Sequence, residues 1–294
     1  MNVRRSESVA LEQALRHAIG SSQLYLEYQP IVDLQSFTVK SFEALCRWNH
    51  PDHGLVPPER FIGIAEKSGL ILAVGEFVLR EACFQLRRWV ADGARIVPIG
   101  INVSPLQLAR TDFSALVRET AREAEIDPKW LYFEITESAL LDDAEKHSQA
   151  LAELGRMGCS VAIDDFGAGY STFSYLKRMP VDTLKIDRSI VEDLTAGSSS
   201  AAVVRGIIDM ARGMNVTTIA EGVETAVQVE VLRELGCQYA QGYGFSRPVS
   251  ARRCRALLDA MGPQQRWSET MQVRAMNVAE TTGRLQRRAS GVDS

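Results

Sequence analysis

No two cysteines stand at CxxC spacing. The five present, Cys46, Cys83, Cys159, Cys237 and Cys254, are odd in number and dispersed. That argues against a disulfide-stapled secreted scaffold and suits a reducing compartment in which each thiol is a small buried hydrophobe. No apolar run approaches the ~20 residues needed to cross a bilayer. The opening MNVRRSESVA carries charge with no apolar signal core behind it. The expectation is a cytoplasmic chain with no membrane segment of its own. Basic residues are not in excess, and the net charge of −4 argues against binding to DNA or RNA polymers, although it leaves room for a small nucleotide in a local pocket. The four histidines, His17, His50, His53 and His147, form no HExxH. There is no GxGxxG fingerprint, no Walker pattern, no local support for a Ser-His-Asp triad and no internal repeat.

What is present is alternation. Short β-rich apolar runs occur at Leu24–Val32, Val39–Trp48, Val97–Val103, Trp130–Thr136, Ser160–Asp164, Thr183–Ile186, Val216–Ala220 and Gln238–Gln241. Helical patterns lie between most of them, at Leu70–Val90, Phe113–Ala124, Asp142–Arg156, Ala201–Met214 and Ala226–Leu235. Strand–helix alternation implies a parallel sheet, and about eight units imply closure into a barrel. One link breaks the rule. Only Asp33–Thr38 separates the first two strands, far too short for a crossover, so they should pair antiparallel as a hairpin. The predicted fold is α/β, a TIM-like (β/α)8 barrel with one antiparallel strand. It spans residues 9–262, after a polar lead-in at 1–8 and before a tail at 263–294. In the tail Trp267, Met271, Ala275 and Val278 fall near helical spacing, which leaves a docked amphipathic helix and a frayed end both open.

Acidic or amide residues recur where these strands end: Glu43, Asn102, Glu134, Asp164 with Asp165, Asp187 and Glu221. In such barrels the active site forms at the C-terminal ends of the strands. Any one terminal carboxylate is ordinarily a solvated loop residue or a helix cap. Several aimed into one mouth repel each other unless cations intervene. An all-oxygen donor set without a nearby Cys or His pair favours Mg²⁺ or Mn²⁺ over zinc. Adjacent Asp164 and Asp165 suit a pair of cations that activates a water and stabilises the leaving oxygen of a phosphodiester. Lys185 then fits as a fixed positive charge near that water. DFGAGYS (Asp165–Ser171) places two glycines in a strand-to-helix loop suited to a tight turn or a lid. QGYGFSRP (Gln241–Pro248) offers amide and aromatic groups suited to the edge and face of a nucleobase.

Together these segments resemble the EAL family of cyclic di-GMP phosphodiesterases. Glu43-Ala44-Leu45 stands intact, with Arg47 after it and Gln29-Pro30 on the preceding strand. INVSP, FEITES, IDDFGAGYS, LKIDRS, AEGVET and QGYGFSRP follow in family order, so the resemblance covers roughly residues 8–262. It implies a barrel with one antiparallel strand. It also implies a cyclic-guanylate-specific phosphodiesterase of bacterial second-messenger signalling, cleaving cyclic di-GMP to linear pGpG with two Mg²⁺ or Mn²⁺ ions per site and inhibited by Ca²⁺. By motif matching, Glu43, Asn102, Glu134 and Asp164 hold the first metal. Asp164 bridges to the second, which Asp165 and Glu221 also bind. Lys185 and Asp187 contact or position the water, and Glu221 is also a candidate general base. Gln29, Leu45, Arg47, Gln241 and Glu224 are implied substrate contacts, and Glu137 an anchor for the loop after Asp165.

The resemblance further implies a homodimer. No GGDEF, PAS or receiver-like segment is visible, so a regulatory domain would be fused elsewhere or separate. A silent receptor for the same nucleotide is the main rival, and a sugar-phosphate barrel enzyme the second. Every motif position is retained, which favours the active enzyme.

Overall fold

Val39–His50 can only fold back on Leu24–Asp33, and the two strands do so with Leu24 opposite Trp48 and Gln29 opposite Glu43. The turn between them is fixed by the Asp33 carboxylate, which accepts from the backbone N–H groups of Gln35 and Ser36 at 2.9 and 2.8 Å. The computed structural model describes residues 2–110, 112–139, 144–169, 176 and 179–260. Three expectations fall partly or wholly outside them: the tail from residue 263, Tyr170 and Ser171 of the DFGAGYS loop, and the start of a helix at Asp142.

In chain order the elements are α1 (Asn2–Ala18), β1 (Leu24–Asp33), β2 (Val39–His50), β3 (Gly54–Val56), α2 (Pro58–Ser68), α3 (Ile71–Ala91), β4 (Ile99–Asn102), α4 (Pro105–Leu108) and α5 (Phe113–Glu123). They continue with β5 (Leu131–Thr136), α6 (Ala144–Arg156), β6 (Ser160–Phe166), β7 (Thr183–Ile186), α7 (Arg188–Val191), α8 (Ser199–Gly213), β8 (Thr217–Ala220), α9 (Ala226–Leu235), β9 (Tyr239–Ala240) and α10 (Ala251–Ala260). The sheet runs β1-β9-β8-β7-β6-β5-β4-β2 and closes through β1–β2, giving an eight-stranded barrel with β3 added outside on the end of β2. Only β1 opposes its ring neighbours: it is antiparallel to both β2 and β9, and the other ring pairings are parallel. The reversed strand and the closed barrel agree with the sequence.

The N-terminus carries a helix that was not foreseen: α1 runs through the polar residues 2–8, and Leu11, Leu15 and Ala18, at helical spacing, are buried. Helix α2 and strand β3 were also not foreseen. The helix starts at Pro58, where a missing N–H is harmless, and ends on Gly69 at φ +76°. Helix α3 buries Val74, Val78, Leu79, Ala82, Leu86 and Trp89 along one face. The Trp89 ring packs on Tyr28 of β1 and Phe42 of β2, with centroids 5.6 and 5.7 Å away. Each large side chain buried in this way contributes about 1.5–3 kcal/mol.

Inside the barrel, Ile31, Tyr132, Ala162 and Ile219 form a small apolar cluster of their own, with Tyr239 against it. Gly100 leaves room for the Tyr132 ring, since a Cβ there would stand 2.3 Å from it. This layer closes the barrel beneath the site. Side chains two residues apart on a strand share a face. The layer above it therefore carries Gln29, Asn102, Glu134, Asp164, Glu221 and Gln241.

Candidate active site

Glu43 and Lys185 complete that upper layer, so each of the eight barrel strands contributes one polar residue on the strand or just past its end. Glu43 is not at the end of its strand, as the sequence suggested. It lies within β2, near the point where the parallel ladder with β4 stops at Ala44 opposite Ile101. The rest of β2 rises beyond the barrel with β1 and β3.

The buried ammonium of Lys185 occupies the centre. It lies 2.5 Å from Glu134 Oε2, 2.7 Å from Glu221 Oε1, 2.9 Å from Asp164 Oδ1 and 3.5 Å from Glu43 Oε2. Asn102 Nδ2 donates to Glu43 Oε1 and Gln241 Nε2 to Glu43 Oε2, both at 2.7 Å. Gln241 Nε2 also donates to Gln29 Oε1, and Gln29 Nε2 to the Ser246 carbonyl. The two amides thereby fix the rotation of the Glu43 carboxylate.

Burial pulls every charge in this cluster towards neutrality, and the neighbours decide the outcome. For Glu43 burial works upward, but Lys185 and the amides of Gln241 and Asn102 prevail and hold it below the usual carboxylate range. Burial, then the charge of Glu43, pushes Glu134 well above that range against the pull of Lys185. Glu221 is pushed up to about 8 by burial, with Asp164 and Glu43 adding to the effect. Burial works to discharge Lys185, yet Glu134, Glu221, Glu43 and Asp164 outweigh it and keep the ammonium charged.

Asp164 and Asp165 reach one site because strand β6 is irregular. Adjacent strand residues normally point to opposite faces. Here Ile163 pairs with Leu184 and Phe166 with Ile186, so two residues on β6 oppose Lys185 alone, and Asp165 adopts φ +54°. This bulge breaks the alternation. One oxygen each from Asp164, Asp165 and Glu221 lies within 4.8 Å of the others. Glu137 brackets the bulge: its N–H donates to the Asp164 carbonyl, and its Oε2 accepts from the Gly167 N–H at 3.1 Å.

The donors suit a hard cation. All are oxygens, and Glu134 Oε1 is buried without a hydrogen-bond partner among the described residues. Asn102 spends its amide N–H on Glu43, which leaves its carbonyl oxygen for ligation.

A cavity of about 260 Å³ opens above the cluster, with Gln29, Leu45, Asp164, Glu224 and Gln241 in its wall. Arg47 stands outside this wall, its Nε held by Glu27 Oε2 at 2.8 Å. Asp187 caps α7, accepting from the Ser189 N–H, and it faces Asp165 rather than the Lys185 cluster. Sequence reasoning did not single out Arg188, which lines the cavity together with Tyr243 of the QGYGFSRP segment. Arg188 packs over Gly222, where a Cβ would stand 2.3 Å from its Cγ, and pairs with Glu224 at 3.3 Å. The signal available for Arg188 was a cation directly after Asp187.

The EAL domain model matches residues 12–248. The chain is 42% identical over 251 residues, 85% of its length, to the bifunctional diguanylate cyclase/cyclic di-GMP phosphodiesterase MucR of Pseudomonas aeruginosa. It is 40% identical over 247 residues, 84% of its length, to the cyclic di-GMP phosphodiesterase NbdA of the same organism. The aligned segments are 37% and 32% of those relatives, so the chain spans about a third of their length. Among solved structures, PaMucR phosphodiesterase in complex with c-di-GMP superposes with a TM-score of 0.79 at 42% identity, over 83% of this chain and 99% of that one.

Proposed function

This chain belongs to the EAL domain family, and on that premise we propose that it hydrolyses cyclic di-GMP to linear pGpG in bacterial second-messenger signalling. The observation that carries the reading is the ring of oxygen donors around Lys185, open to a cavity whose wall includes Gln29, Leu45, Glu224 and Gln241. In this reading Glu43, Asn102, Glu134 and Asp164 hold one divalent cation, and Asp164, Asp165 and Glu221 a second. When bound, the two Mg²⁺ or Mn²⁺ ions supply an activated water and stabilise charge on the phosphate and its leaving oxygen.

The remaining work belongs to the chain. Gln241 and Gln29 orient substrate beside Glu43, and Leu45 gives the nucleotide an apolar contact. Arg188 and Glu224 present a donor and an acceptor at the mouth. Arg47 reaches a phosphate oxygen by exchanging its partner Glu27, a contact its planar fork suits. Water attacks one phosphorus, the bond to the 3′ oxygen breaks, and the product keeps its 5′-phosphate. Lys185 offsets the charge that develops in that step. Glu221, in the cavity wall beside Asp164, is the carboxylate placed to take a proton from that water. Asp187 positions the water from the side of Asp165. Ca²⁺ inhibits because it takes more ligands in looser geometry than Mg²⁺. The reading includes a cytoplasmic homodimer under the control of a fused or separate regulatory domain.

The test is conversion of cyclic di-GMP to pGpG by purified protein across a Mg²⁺, Mn²⁺ and Ca²⁺ series. Turnover is expected with the first two and lost in Glu43→Ala. Binding without cleavage under every metal would support a receptor instead.

A further inference from the structure

We propose that Lys185 is a built-in counter-cation that lets the barrel fold without metal. The proposal rests on the reading of Glu43, Glu134, Asp164 and Glu221 as cation ligands, and on geometry that goes beyond it. All four carboxylates lie within 3.5 Å of Nζ, and the Lys185 side chain is 1% exposed. Strand register brings these carboxylates together before any ligand arrives. Asp164 is on β6, Glu221 follows β8, and Lys185 rises from β7 between them. Glu43 and Glu134 reach in from β2 and β5. Carboxylates fixed at this spacing and shielded from water repel strongly unless they take up protons or a positive charge stands among them, and Lys185 supplies that charge. A surface lysine could leave, whereas Lys185 cannot, because its stem is enclosed by the barrel.

The ammonium and an incoming cation also draw on the same carboxylates. Lys185 therefore weakens metal binding while it removes the need for metal in folding. Its place beside the reacting water, expected from the sequence, becomes a second use of a charge already required by the fold.

Thermal melting of wild type and Lys185→Met, each in chelator and in excess Mn²⁺ or Mg²⁺, tests this without any activity readout. Methionine keeps most of the stem and removes the charge. Breaking a buried ionic partnership should lower the chelated variant's midpoint by about 10 °C, and metal should recover most of that loss. The metal-induced rise is then larger in the variant than in wild type. A chelated variant within about 2 °C of wild type overturns the proposal. So does an equal loss with and without metal, which marks packing alone. If Lys185→Met does not fold in chelator, recovery on adding Mn²⁺, or on adding Glu134→Gln to the variant, supports the proposal. Failure of both rescues overturns it. A wild-type midpoint that ignores both metals would count against the cation site itself, while the chelated comparison still decides for Lys185.

Discussion

Replacing Glu137 should damage catalysis from outside the cluster. Its N–H holds the Asp164 carbonyl and its carboxylate holds the Gly167 N–H, so one residue clamps both sides of the bulge that turns Asp165 inward. Asp165 sits at φ +54°, a conformation that costs about 1–3 kcal/mol for a residue with a side chain. A hydrogen bond to a charged acceptor contributes about 1.5–3 kcal/mol. The two are of similar size, so alanine, which keeps the N–H contact to Asp164 but loses the carboxylate contact to Gly167, lets the bulge relax and turns Asp165 away. Since 1.36 kcal/mol is tenfold in rate, Glu137→Ala should lower kcat about 10- to 100-fold. The metal concentration for half-activation should rise, because Asp165 is one of the proposed ligands. Glu137→Gln keeps an acceptor and should fall between. Steady-state hydrolysis with a Mn²⁺ titration reads both quantities, and a melt checks that the barrel is intact. Glu137→Ala with kcat and half-activation within about twofold of wild type would refute the clamp, since the lost bond predicts at least tenfold.

Gly222→Ala forces a Cβ against the Arg188 stem at a φ of +66°, so it should cost about 1–2 kcal/mol and disturb the Arg188–Glu224 pair. KM should rise several-fold with kcat little changed, and an unchanged KM would remove Arg188 from substrate binding. Burial pushes the thiols of Cys46, Cys83, Cys159 and Cys254 up to about 12 and that of Cys237 to about 11. A thiol reagent at neutral pH should therefore react with them slowly until denaturant is added. The same shifts set a sign for stability. From the ordinary value of 9.0 upward the unfolded chain releases thiol protons that the folded one keeps, so stability falls with pH, up to about 1.4 kcal/mol per thiol per pH unit. Chemical denaturation at pH 8 and pH 10 measures it, and equal midpoints would contradict the burial argument.

The barrel was legible because its strands carry period-two or continuous apolar runs and its crossovers carry amphipathic helices. Thr183–Ile186 and Ala226–Leu235 match the structure residue for residue. The reversed strand followed from the length of one loop. Helix α1 was missed because its polar positions outnumber the buried Leu11, Leu15 and Ala18. Strand β3 was missed because its three residues are too few to show a period. In the site, convergence of Glu134, Asp164 and Glu221 could be read from strand ends, whereas Glu43 joins them from within β2. The bulge at Asp164–Asp165 could not, since a regular alternation would have turned one of them outward. Repulsion among the carboxylates was also foreseen, with metal as its relief. What only three dimensions supplied is that Lys185 already stands among them, and that Arg47 is engaged by Glu27 instead of lining the cavity.

The central claim is that the acidic ring at the barrel mouth holds the cations that cleave the phosphodiester. Anomalous diffraction at the manganese edge, on Mn²⁺-loaded crystals of protein shown to be active, tests it directly. Manganese is expected bonded to oxygens of Asp164, Asp165 and Glu221, with the other ion held by Glu43, Asn102, Glu134 and Asp164. Active crystals with no anomalous peak in contact with Asp164 would contradict it.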